Sequence, residues 1–149
     1  MKKSDSRTVD HQYFIRVSPK RAFEAISESR WLVRWLADTA EIAPRKGGQY
    51  TLGWNGGPTH HGRVAEFVRG KRISLAWSWP GVKLTGTRFQ LSVQPKGKGS
   101  IVAVRHTGFP RKERWVDLYA GAEWGWTYFL MNLKSVLEHG EDLRSQYDG

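Results

Sequence analysis

Only the last third of this sequence carries a helical period long enough to cover a sheet, and that constrains the fold more than any other feature. Trp115, Leu118, Ala122, Trp126, Phe129, Leu133 and Val136 or Leu137 recur at intervals of three and four, so they share one face of a long helix. Gly140 follows as its stop, because glycine adopts the left-handed conformation that ends a helix at little cost.

Ahead of that helix the period is mostly two. Val9, His11, Tyr13, Ile15 and Val17 alternate as in a half-buried strand. Ser18-Pro19 then switches the period, serine as a cap and proline at the first helical position. Ala22, Phe23 and Ile26 give a short helix. A second, capped at Ser27 or Ser29, carries Trp31, Leu32, Trp35 and Leu36. Alternation returns with Tyr50, Leu52 and Trp54, then over residues 61–68, and again with Ile73, Leu75, Trp77 and Trp79. Phe89, Leu91 and Val93, then Val102, Val104 and His106, complete the set, with Gly- and Pro-rich turns between the strands. Strands joined by short turns pair antiparallel, and their apolar face needs a cover that only the long helix can supply. The expected fold is therefore α+β: a curved antiparallel sheet of about six to seven strands, two short helices after strand one, and a long C-terminal helix. Residues 9–140 form the single domain, between a flexible N-terminus (1–8) and a tail (141–149).

Composition removes several functional classes. The chain of 149 residues has no cysteine, which excludes disulfide scaffolds, cysteine-ligated metal and thiol catalysis. No apolar run reaches the roughly 18 residues of a membrane span, and the polar N-terminus is no signal peptide, so a cytoplasmic protein is expected, without membrane insertion. The net charge of +10 is uneven: residues 1–112 hold 21 basic and 7 acidic side chains, and residues 113–149 hold 3 and 7. Much of the excess sits in turns, at Arg45-Lys46, Arg69, Lys71-Arg72, Lys96, Lys98 and Arg111-Lys112, as on a solvated sheet rim. Most aromatic residues fall on predicted buried faces, so a nucleic-acid partner is not expected, and an anionic head-group or acidic partner suits the charge better.

Several segments resemble one family in the same order. Residues 18–26 look like its strand-to-helix junction, and 31–36 (Trp-Leu-Val-Arg-Trp-Leu) like its short second helix. Residues 45–50 resemble its glycine-glycine strand start, and 72–77 its strand ending in tryptophan. Residues 102–109 are similar to its last strand, and Gly125-Trp126 with Leu130, Leu133 and Leu137 to its final helix. The family is the homologue-1-like branch of activators of the heat-shock protein 90 ATPase, within the SRPBCC or START-like superfamily. The resemblance implies a helix-grip fold, with a cavity between sheet and helix. It also implies three alternative roles: binding of a small apolar, aromatic or lipid-like molecule, a chaperone-cofactor role, or a polyketide cyclase-like or hydrolase activity.

The residues expected to line that cavity are Tyr50, Leu52, Trp54, Val64, Trp77, Phe89, Leu91, Val104 and His106 from the sheet, and Trp126, Phe129, Leu130 and Leu133 from the helix. His106 would anchor a ligand. With Glu66, which alternates with Val64, it is the candidate acid–base pair, and no other catalytic residue is assigned. His60 and His61 point to opposite faces of a strand and cannot easily share a metal, so no metal or cofactor is expected. No phosphate-cradling or dinucleotide motif is present. Trp124, Tyr128 and Met131 form a second apolar stripe on the long helix, a candidate homodimer surface.

Overall fold

The alternating segments become seven strands in the computed structural model, which describes residues 6–144. In chain order these are β1 (Ser6–Ile15), α1 (Pro19–Ser27), α2 (Ser29–Trp35), β2 (Thr39–Ile42), β3 (Gln49–Gly53), β4 (Thr59–Val68), β5 (Arg72–Trp77), β6 (Thr87–Lys96) and β7 (Gly99–Pro110). A single 3-10 turn (Glu113–Trp115) leads into α3 (Val116–His139). The strands form one antiparallel sheet in the order β1-β7-β6-β5-β4-β3-β2, so the first strand of the chain pairs with the last. One face carries the helices. This is the helix-grip arrangement: α1 packs on β5, β6 and β7, α2 on β2, and α3 on β1 and α2. Among the described residues no helix is long and apolar enough to cross a membrane.

Local chemistry explains most boundaries. The Ser18 hydroxyl accepts from the Arg21 N–H at 3.2 Å, and Pro19 opens α1. Gly140 ends α3 at φ 73°, where a side chain would be strained. The expected serine cap of α2 does not form. Glu28 occupies that position without a side-chain bond, while the Ser27 hydroxyl donates back to Phe23 O and Ser29 Oγ accepts from Ile42 N, pinning β2.

Three boundaries differ from the sequence reading. β2 has only four residues, too few for a visible period, and was not anticipated. Trp54 and Trp79 lie just beyond β3 and β5 instead of inside them. Beyond the expected 9–140, Ser6, Arg7 and Thr8 belong to β1, and residues 141–144 are hydrogen-bonded to the rest of the chain. Arg144 donates to the carbonyls of Val33 and Ala37, while Asn132 bonds Trp35 O, Asp142 and the Leu143 N–H. The rest of the expected flexible N-terminus (1–5) and of the tail (145–149) lies outside the described residues.

Candidate functional site

Two halves of α3 behave differently, and that difference makes the site. Its buried residues, Trp126, Leu130, Asn132, Leu133 and Val136, begin near mid-helix and pack into the core. The stretch before Trp126 is at most half-buried and meets the sheet at β1 and β7, where Glu123 pairs with His11 at 2.8 Å and the Tyr119 ring lies 5.6 Å from Phe109. Beside this stretch lies a cavity of about 340 Å³, lined from the sheet side by Leu36, Trp54, Pro58, His60, Trp77, Trp79, Phe89 and His106, and from α3 by Asp117, Leu118, Gly121, Ala122, Gly125, Trp126 and Phe129.

The floor of the cavity comes from strand register. Leu75, Phe89 and His106 stand opposite one another across β5, β6 and β7, so all three point to the covered face. Beyond His106 the chain makes a bulge at Gly108, whose φ of 96° suits glycine. The extra residue brings Phe109 onto the same face as His106, with ring centroids 4.7 Å apart; regular alternation would have put them on opposite faces. Trp79 stacks on His106 at 5.7 Å, and Phe89 meets Trp126 edge-on at 4.8 Å. On the other side, Trp77 stacks on His60 at 4.1 Å, and Trp54 is anchored by a bond from Nε1 to Leu36 O at 2.8 Å.

His106 is 2% exposed and holds the one buried polar group of this wall left without a partner. Trp126 Nε1 lies 3.0 Å from His106 Nδ1, and an indole N–H can only donate. The neutral imidazole therefore carries its proton on Nε2, and that nitrogen has no hydrogen-bond partner among the described residues. Burial pushes the imidazole down to about 3, so it is neutral at physiological pH. Such a group is poorly matched to acid–base turnover and well suited to a fixed N–H donor. His60 is also held below the ordinary histidine range, first by burial, and its Nδ1 pairs with Ser78 O at 2.6 Å.

Glu66 does not join His106. A bulge between Val64 and Glu66 shifts the register, so that Glu66 stands opposite Ser74, in the row that continues through Gln90 to Arg105 on the uncovered face. There it pairs with Arg72 at 2.6 Å, and that hydrogen bond lowers its carboxyl pKa. The two candidate acid–base groups thus occupy opposite sides of the sheet.

Of the residues expected at the cavity, Trp54, Trp77, Phe89, His106, Trp126 and Phe129 line it. Tyr50, Leu52, Val64, Leu91, Val104, Leu130 and Leu133 are buried in the core but are not among the residues that line the cavity. Sequence reasoning missed His60, Trp79, Asp117 and the pair Gly121 and Gly125. The glycines were the available signal. Each weakens a helix interior by about 1 kcal/mol relative to alanine. Neither is required by packing, since a Cβ built on either meets no atom within 4 Å. No Lys or Arg is among the lining residues, so the positive turns offer no cation to an anionic head-group there. Among the described residues no three His, Cys, Asp or Glu side chains gather as a metal site, and His60 and His61 do face apart.

Solved structures with the same fold are distant in sequence. The Aha1 dimer from Colwellia psychrerythraea superposes with a TM-score of 0.79 at 20% identity, covering 91% of this chain and 98% of that one. Protein MLL2253 from Mesorhizobium loti gives 0.79 at 20% identity over 88% and 96% of the two chains. DynU16, from the dynemicin biosynthetic locus, gives 0.80 at 18% identity over 94% of this chain and 49% of its own. No curated protein matches the chain. The model of one family does match, over residues 16–138, from the end of β1 to the end of α3. With the helix-grip fold and most of the chain in that match, the protein belongs to the family of Activator of Hsp90 ATPase homolog 1-like proteins.

Proposed function

We propose that this protein binds a small apolar or aromatic molecule in the cavity between its sheet and the N-terminal half of α3, as a carrier or sensor in the cytoplasm rather than as an enzyme. The observation behind this reading is a cavity walled by six aromatic rings and lined by His106, whose buried N–H has no partner among the described residues. Rigid rings give broad apolar contact, and an unpaired buried donor is worth keeping only where something else completes it. The test is native mass spectrometry with 2-acetylnaphthalene, a flat neutral molecule with one acceptor. A one-to-one adduct is expected for the wild type. Ala122→Phe, which puts a ring into the cavity, should lose it while keeping the same circular dichroism. A wild type without adduct, or an Ala122→Phe protein that binds equally well, would overturn the reading.

A second reading rests on the α3 stripe that flanks the cavity face. Trp124 is 73% exposed and stacked on Tyr128 at 5.9 Å, with Met131 44% exposed further along. The Colwellia relative was solved as a dimer. On this reading the stripe joins two copies of the present chain, independently of what the cavity holds. Sedimentation should then show a dimer that Trp124→Glu converts to a monomer; a monomeric wild type would contradict it.

A further inference from the structure

The polarity of the cavity narrows what it can take, an argument that rests on the binding reading above. Asp117, Gly121, Gly125 and Phe129 follow one another at intervals of four along the same face of α3, and all four line the cavity. Asp117 is exposed, and it is the only charged residue among those lining it. It lies two turns, roughly 12 Å along the axis, before Gly125 and Trp126. At Trp126 the lining meets His106, whose Nε2–H has no partner among the described residues. The lining therefore carries a buried imidazole with an unused N–H at one end of this row and an exposed carboxylate at the other. Between them the helix surface is bare backbone at Gly121 and Gly125, with open space where side chains would stand.

We propose that the cavity selects a flat aromatic molecule seated against Gly121 and Gly125, with a hydrogen-bond acceptor at its buried end for His106 and a neutral or cationic group, not a carboxylate, at its outer end beside Asp117. The protein as a whole is strongly basic, and simple attraction would favour anions. The site and the surface thus make opposite demands, which lets an experiment separate them.

Three 2,6-disubstituted naphthalenes serve as probes. One carries acetyl and aminomethyl groups, one acetyl and carboxylate, and one ethyl and aminomethyl. Their dissociation constants are read by tryptophan fluorescence in wild type, Asp117→Asn and Gly125→Ala. The wild type should bind the acetyl cation about tenfold more tightly than the acetyl anion, and about fivefold more tightly than the ethyl cation, which has no acceptor for His106. Asp117→Asn should bring the cation and anion to within about twofold of each other. Gly125→Ala should raise Tm by about 2–4 °C through its helix propensity while weakening every probe, two effects of opposite benefit that a merely structural glycine would not combine. If the wild type binds the anion as well as the cation, or Asp117→Asn changes nothing, the proposed selectivity is wrong and the binding reading survives. If Gly125→Ala binds as before, the glycine seat is wrong. If no probe binds at all, the cavity reading itself falls.

Discussion

His106 shows how one buried residue ties the core to its chemistry. Its pKa in the folded protein, about 3, lies below the ordinary 6.5, so the unfolded chain takes up a proton that the folded chain refuses. Its stabilising effect is fully present above pH 6.5 and is lost as the pH falls toward 3. From pH 6.5 to 5 the loss is about 2 kcal/mol, and His60 adds to it in the same direction. Denaturant melts of wild type and His106→Phe across that range should show a steep decline in the first and a shallower one in the second. Parallel curves would mean that the imidazole is not held neutral by its surroundings. The position of His106 on the covered face was legible from simple alternation. Its neighbour Phe109 and its missing partner were not, because a bulge at Gly108 and the reach of a tryptophan from another element leave no periodic trace.

At the scale of elements, strands and helices with a clear period emerged where expected, and the short or interrupted ones did not. β2 is too brief to alternate visibly, and the bulge after Val64 turned Glu66 to the uncovered face against a period that read as continuous. The apolar stripe of α3 reads the same along its whole length, yet its fully buried residues begin only at Trp126. The small residues Gly121, Ala122 and Gly125 mark the stretch that lines the cavity. Two truncations on this one helix should therefore differ sharply. Leu130 is fully buried, and Leu130→Ala should cost about 2–5 kcal/mol in urea unfolding. Leu118, half-buried at the cavity, should cost within about 1 kcal/mol as Leu118→Ala. Equal losses would mean that α3 is packed along its full length. The C-terminal clamp makes a further check. Arg144 satisfies the carbonyls of Val33 and Ala37 around the end of α2, so Arg144→Ala should lower stability by about 1–3 kcal/mol.

For the whole molecule, the fold class could be read from the order of periods, whereas the extent of the cavity depended on how the first turns of one long helix sit over the sheet. The family match and the solved relatives agree on the architecture, and relatives at about 20% identity leave the ligand to be decided by this chain's own side chains. Eight tryptophans make that decision measurable. Trp54, Trp77, Trp79 and Trp126 line the cavity, while Trp35 is sealed in the core against Ala25 O and Trp124 stands in solvent outside the lining. The most direct test is a titration with 2-acetylnaphthalene that follows the indole N–H resonances of ¹⁵N-labelled protein. The account predicts saturable shifts at the four cavity tryptophans, with Trp35 and Trp124 unmoved. Shifts confined to Trp124, or no movement among the cavity four, would contradict it.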